Sequence, residues 1–452
     1  MSNKMDHKFD LCRIIRFTLP SILMMMFFSF YTVVDGMFVS NYIGTVALGA
    51  LNIIFPYQCL AIGLAIMIAS GGSAIVGRVL GEKKEDEARS LFTLFIFTEI
   101  FFALVFLIIG LSFERPILNM LGASAKQYPY AAKYYRIYTC FLPCIFLQNA
   151  FQTLFVTAGK PHLGLSLTVI AGFSNVFLDY LFLDIIGLSI EGAALGTVLA
   201  CLIPSLTGLL YFSFKRNGTL YFVPFKINLV KIKEALINGS SEMVTNLANA
   251  LSTFLFNMQC QKFYGDDGVA AITIILYFQF LFSAILFGYS MGIAPVISYK
   301  HGKGDKNQIK SILQRSLGII AVISIFAFSF SFILIKPVTY LFYDGSQNVF
   351  DITVNNFKFY SPSLLIFGFS IFASSYFTAL GNGLVSALIS FSRTILFLSI
   401  SLIILPLMFD ELGIWISVPV AEILGIIVSI ICLIKYNKKY FCKYALEYDK
   451  IK

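Results

Sequence analysis

Ala50-Leu-Asn-Ile-Ile-Phe-Pro-Tyr-Gln58 recurs without a gap as Ala271-Ile-Thr-Ile-Ile-Leu-Tyr-Phe-Gln279. The offset is about 221 residues, and other features keep it. The basic loop opening at Gly81 falls on the one opening at Gly302, and Arg115-Pro116 falls on Lys336-Pro337. A repeat of this length is half a protein rather than a solenoid unit. Two hydrophobic halves in tandem suggest a transporter with its pathway between them.

Composition says which solvent those halves meet. Apolar residues make up 58% of the 452-residue chain and charged residues 13%, the balance of an integral membrane protein. About twelve apolar stretches are long enough to cross a core ~30 Å thick. They lie near 14–39, 53–77, 90–112, 134–156, 163–186, 192–213, 238–260, 270–297, 311–335, 358–379, 384–407 and 413–435. The expected fold is all-α, with twelve transmembrane helices in two six-helix lobes related by the repeat. The lobes should cover residues 13–214 and 232–436. A linker, 215–231, should return along the cytoplasmic membrane surface as a tether, the sharper reading being a regulatory or lipid-contacting segment, and a basic tail, 437–452, should meet anionic headgroups. The first span lacks a small-residue cleavage site and reads as a retained helix.

The net charge of +9 invites a nucleic-acid partner, but its placement argues against one. With the N-terminus inside, inner segments carry roughly 25 Lys and Arg against 7 in outer segments. That is a strong positive-inside bias, so both termini should be cytoplasmic, in a bacterial inner membrane. The outer seven are Arg115, Lys126, Lys133, Arg136, Lys262, Lys336 and Lys358. The eight cysteines are scattered and read as small apolar residues. His7, His162 and His301 are far apart, so neither a metal set nor histidine catalysis is expected, and the chain should not be an enzyme.

The polar residues inside the spans carry the chemistry. An ionisable group in the bilayer core costs ~2.5–3.5 kcal/mol, so each one requires a reason. Counting ~1.5 Å per residue from the outer ends places Asp35, Asp179 and Thr197 at depths of about 6, 10 and 8 Å. Tyr31 is four residues before Asp35 and Asn175 four before Asp179, so each pair shares a helix face. The set is all oxygen: two carboxylates, an amide, a phenol and a hydroxyl. It suits a proton or a hard cation such as Na⁺ at Asp35, Asn175, Asp179 and Thr197, and suits zinc or copper poorly. Two carboxylates together away from water also hold a proton between them more readily. The competing reading is a polar plug that only orients helices. In the second half the same offset replaces Asp35, Asn175 and Asp179 by Phe256, Leu396 and Ile400. Ion handling is therefore expected in the first half alone.

Glu99, Arg393 and Glu422 fall near mid-membrane by residue count. Arg393 and Glu422 sit on adjacent spans and either pair with each other or meet substrate. Glu242, near the inner end of the seventh span, either snorkels to water or faces a cationic substrate. Pro20 removes a backbone hydrogen bond early in the first span, giving a static bend or a hinge on the helix that carries Asp35.

Over about residues 14–435 the chain resembles the multidrug and toxic compound extrusion (MATE) family. The resemblance rests on Gly71-Gly-Ser-Ala-Ile-Val-Gly-Arg-Val-Leu-Gly81, Pro295-Val-Ile-Ser-Tyr-Lys-His-Gly302, Asn175-Val-Phe-Leu-Asp179, Glu191-Gly-Ala-Ala194 and Gly268-Val-Ala-Ala271. It implies two six-helix lobes in a V around a central cavity, exporting organic cations and other amphiphiles against H⁺ or Na⁺. It also implies a cell-membrane protein conferring drug and antibiotic resistance, with no cofactor beyond the coupling ion and no obligate protein partner, working as a monomer. Pro20, Tyr31, Asp35, Asn175, Asp179 and Thr197 match the first-lobe cluster of the family's DinF-like branch. The NorM-like branch keeps an acidic residue on the tenth span, and 359–379 has no carboxylate here. The alternative is a flippase for lipid-linked saccharide precursors, whose related families share the lobe architecture. Those members carry more spans or a strongly cationic cavity, whereas Arg393 is the one basic residue deep in a span here.

Overall fold

The computed structural model describes residues 5–43, 45–124, 127–341 and 347–442. Lys4, Lys126, Lys443, Lys450 and Lys452 of the charge count, and the tail beyond 442, lie outside the described residues. Among the described residues every regular element is helical. A bilayer demands this, because a spanning segment must satisfy its own backbone N–H and C=O groups.

The first half forms α1 (Leu11–Ile43), α2 (Thr45–Gly81), α3 (Glu85–Ser112), a two-piece α4 (Tyr128–Cys140 and Leu142–Thr157), α5 (Pro161–Asp179, extended by a π-helical turn at Tyr180–Ile185) and α6 (Ile190–Phe214). The two pieces of α4 meet at 55° and together make one span. The break falls where Pro143 has no N–H to continue the ladder.

In the second half the helical stretch Leu229–Gly302 breaks at Gly265, whose φ of 65° suits a residue without Cβ. This gives α7 (229–264) and α8 (266–302). There follow α9 (Lys306–Leu341) and α10, which runs from Gln347 to Ala379 through a 3-10 stretch at Ser361–Leu365. Next comes α11 (383–409), which holds a π-helical stretch at Phe391–Phe397. A second break at Asp410, with φ of 50°, separates it from α12 (411–442). The twelve expected spans are therefore present, six to each lobe.

The linker is not a loose tether. From Thr219 to Phe225 it lies along α3: Arg89 donates to the Thr219 carbonyl at 3.2 Å, and Val223 N–H donates to Thr93 Oγ1 at 3.1 Å. The Phe222 ring packs on Phe92 and the Phe225 ring on Phe97. The aromatic residues of this segment explain the difference from the expected surface return, since each buries a ring that would otherwise meet water. α7 then starts at Leu229, with Asn228 capping Lys231 N–H.

The lobes meet mainly along α2, which lies against α7 and α8, and along α1, which lies against α8. Small residues permit the close approach, as is usual between membrane helices. A methyl group at Gly71 would fall 2.0 Å from the Ala235 carbonyl oxygen, and one at Gly239 1.9 Å from that of Met67. On α8, Gly288 and Gly292 lie against Ser21, Ile22 and Thr18 of α1. Outward, large apolar side chains such as Phe101, Ile108, Phe173, Phe177, Val322 and Ile333 are mostly exposed. Scattered over every side, they form the surface that lipid covers.

Candidate functional site: a paired carboxylate between α1 and α5

Asp35 ends two turns of α1 that begin near Phe28, with Tyr31 one turn before it on the same face. Asn175 and Asp179 occupy the last turn of α5, both fully buried. α1 packs against α5, which brings the Asp35 and Asp179 carboxyl groups close enough to act on each other's charge. The π-helical turn begins directly after Asp179; such turns recur at functional sites because they re-aim side chains.

Two glycines make the room. A Cβ on Gly196 of α6 would lie 2.0 Å from Asp179 Oδ1, and one on Gly172 of α5 2.7 Å from the Tyr31 ring. Gly196 sits beside Thr197, whose hydroxyl donates to the Ala193 carbonyl at 3.0 Å. The structure thus gathers Tyr31, Asp35, Asn175, Asp179 and Thr197 in one place. Pro20 lies elsewhere, within a turn of the Thr18 and Ser21 contact with α8.

Uncharged residues that the sequence reading passed over complete the shell. Gln148 of α4 reaches the Tyr31 hydroxyl, and Tyr134 of α4 reaches Thr197. Gln58 of α2 donates to Tyr134 OH at 3.3 Å. A signal for them existed. Gln58 and Gln279 close the two copies of the repeated stretch, and each ends on a tyrosine of the fourth span of its own lobe. For Gln279 that partner is Tyr360, whose hydroxyl donates to Oε1.

What the pocket offers is acceptor-rich. Asp35 Oδ1, both carboxylate oxygens of Asp179, both amide atoms of Asn175 and Gln148 Oε1 are buried without a hydrogen-bond partner. Buried acceptors left so are costly unless a cation or proton satisfies them. Among the described residues no three of His, Cys, Asp and Glu gather as a transition-metal site would need.

The remaining candidates lie outside this cluster. Arg393 Nε and Glu422 Oε1 stand 3.4 Å apart with both side chains largely buried, and Arg393 also donates to the Phe367 carbonyl at 3.4 Å. Glu99 is buried on α3 with neither oxygen partnered, and Glu242 is half-buried on α7. A groove of about 580 Å³ in the second lobe, lined by Phe263, Tyr264, Asn356, Phe359 and 409–412, holds none of these residues.

A two-lobed bundle with a repeat and a buried acid pair defines a class, the secondary transporters. The family model MatE matches residues 20–181 and 243–403, one match to each lobe. The chain belongs to the MatE family. It is 23% identical over 421 residues to the multidrug export protein MepA of Staphylococcus haemolyticus (strain JCSC1435), covering 90% of this chain and 89% of that one. MepA of Staphylococcus aureus (strain NCTC 8325 / PS 47) is 20% identical over 370 residues, 81% of each chain. Among solved structures, a MATE in complex with MaL6 superposes with a TM-score of 0.90 at 19% identity, covering 97% of this chain and 98% of that one. An outward-facing multidrug resistance MATE transporter of the MOP superfamily gives the same TM-score, identity and coverage. These likenesses carry the fold.

Proposed function

We propose that this chain is a multidrug exporter that moves organic cations and amphiphiles out of the cell by antiport against H⁺ or Na⁺, with coupling at Asp35 and Asp179. The observation that carries the proposal is a pair of neighbouring carboxyls on packed membrane helices whose buried oxygens find no hydrogen-bond partner. Two negative charges there would repel strongly in a medium of low dielectric, so the site favours gaining one positive charge. Asn175, Thr197 and Tyr31 supply neutral oxygens that fit either a proton carrier or a small hard cation. In this reading the lobes are 13–214 and 232–436, the basic loops face the cytoplasm, and the protein sits in a bacterial inner membrane as a monomer of the DinF-like branch.

The mechanism is alternating access. With the cytoplasmic side closed, outside water reaches the acid pair and an ion binds. Because linkage is reciprocal, an ion that weakens drug binding is itself weakened by drug. Ion binding therefore expels drug outward and favours return of the empty cavity to the inside. An ion that bound both conformations equally would shift nothing. Relatives named for multidrug export at similar length support the choice of cargo.

Binding alone tests the linkage. Addition of a cationic dye to the purified protein in unbuffered solution, with and without Na⁺, should release protons or displace Na⁺. Asp35→Asn and Asp179→Asn should abolish that release while dye binding persists. Ion release of wild-type size from a folded double variant would remove these two residues from the coupling role.

A further inference from the structure

Two polar ties cross between the lobes at the end that carries both basic loops, and each joins the start of one lobe to the other lobe. Ahead of α1, Met5 and Phe9 are buried although chain ends usually fray. The Asp6 carboxylate accepts from Lys303 Nζ at 2.5 Å, and the Asp6 carbonyl accepts from Lys300 Nζ at 3.0 Å. Phe9 N–H donates to Gln308 Oε1 at 2.9 Å, and its carbonyl accepts from the Arg315 guanidinium. All four partners belong to the end of α8, the α8–α9 turn or the start of α9, in the second lobe. In the second tie, Glu234 near the start of α7 accepts from Arg78 Nη2 at 2.7 Å. Arg78 stands one turn from the end of α2, in the first lobe.

Between the ties, α2 and α8 touch across the repeat axis. A Cβ on Gly81 would fall 2.0 Å from the Tyr299 carbonyl oxygen, and one on Gly302 1.8 Å from that of Arg78. The offset of about 221 residues turns Gly81 into Gly302 and Arg78 into Tyr299, so these two contacts exchange under it. The ties flank that axis at positions the repeat does not relate, since Asp6 maps to Ile227 and Glu234 to Arg13, yet both are carboxylate–cation pairs. A scattered surface ion pair contributes little. Here several polar and charge-assisted bonds from the five residues 5–9 cross to the other lobe.

From this geometry we infer that the Asp6–Lys303 and Arg78–Glu234 ties form a two-point lock on the cytoplasmic face, which must release before the lobes part on that side. The inference rests on the alternating-access reading above. It gives the N-terminal segment a role in transport: the segment sets how often the inward-facing state forms. The Arg78–Glu234 tie is one side-chain pair across the lobes, so the N-terminal tie, with four inter-lobe bonds, holds the closed face more firmly.

The test reads conformation without transport. Spin labels at Glu87→Cys and Asn307→Cys, both exposed and on opposite lobes, would report the separation of the cytoplasmic ends in nanodiscs, in a background without native cysteines. Wild type should give one short separation. Asp6→Asn combined with Glu234→Gln should raise a longer one about tenfold in population, as expected when a minor state is relieved of its competitor. The exchanged pair Asp6→Lys with Lys303→Asp should bring the short separation back, which separates lost pairing from misfolding. An unchanged distance distribution in the double variant, or no recovery in the exchanged pair, overturns the lock. Absence of coupled dye transport by wild type would instead count against the antiport reading and would leave the distances untouched.

Discussion

At the scale of the residue, the site is decided by what surrounds the Asp179 carboxylate. Gly196 leaves its Oδ1 the space that any side chain would take. Gly196→Ala should therefore disturb coupling more than folding: overpacking of this kind costs about 1–3 kcal/mol, and the group displaced is the carboxylate itself. The expected outcome is at least a tenfold loss of gradient-driven dye export with normal expression, whereas Gly318→Ala, which meets open space, should behave as wild type. Equal activity in the two variants would contradict the packing argument. Charge and spacing made much of this site legible in the sequence. Asp35 and Asp179 announce themselves because a carboxylate in an apolar span is expensive, and the four-residue spacing recruits Tyr31 and Asn175. Tyr134, Gln148 and Gln58 were harder to see, since uncharged polar residues in a span cost less and also orient helices. Gly196 carried no signal at all, because its role depends on a neighbour 17 positions away in the chain.

At the scale of the element, hydropathy located the spans but not their breaks. Span four bends at Pro143, α7 and α8 join through Gly265, and α11 and α12 through Asp410. A proline or a positive φ locates such breaks, whereas the average apolarity of a window does not. The linker shows the same limit. Its polar and basic letters suggest a tether, yet Phe222 and Phe225 hold it on α3. Two consequences are measurable. Trypsin should cut wild type slowly at Lys226, directly after the packed segment, and Phe222→Ala should speed that cut severalfold, because a lost aromatic contact frees the segment locally. Rapid cleavage of wild type at Lys226 would mean that the segment is loose. The Arg393–Glu422 pair makes the second prediction. Removing one partner leaves a buried charge alone, so Glu422→Gln should destabilise the second lobe by about 3–5 kcal/mol, seen as a lower melting temperature. A substrate contact without structural weight would change dye affinity and leave melting alone.

At the scale of the whole molecule, the repeat relates the contacts through which the lobes meet. It places Gly81 against the α8 end and Gly302 against the α2 end, so the two lobes close on each other around one axis. Among the described residues the acid pair, by contrast, lies in one lobe only, so a shared scaffold carries an asymmetry of charge. The sign of the pH response at the closed face follows from Asp6. Lys303 beside it holds the Asp6 carboxyl below the usual carboxylate range, and Lys303 is itself held above its ordinary value. A depressed acid contributes its interaction above its unperturbed value, about 3.9, and loses it only as pH falls through the lowered one. The Asp6–Lys303 tie should thus be constant from pH 6 to 8. Labels spanning it should report the same separation across that window; a change there that Asp6→Asn abolishes would refute this.

The central claim is that an ion bound between α1 and α5 drives export. Cationic-dye transport in proteoliposomes, under a proton gradient and a sodium gradient imposed separately, tests it for wild type and Asp179→Asn. The account predicts uphill dye movement under one of the two gradients, reduced at least a hundredfold in the variant while the variant still binds dye. Gradient-driven transport that survives Asp179→Asn would contradict the coupling site, and a wild type that moves lipid-linked saccharides but no dye under either gradient would contradict the exporter itself.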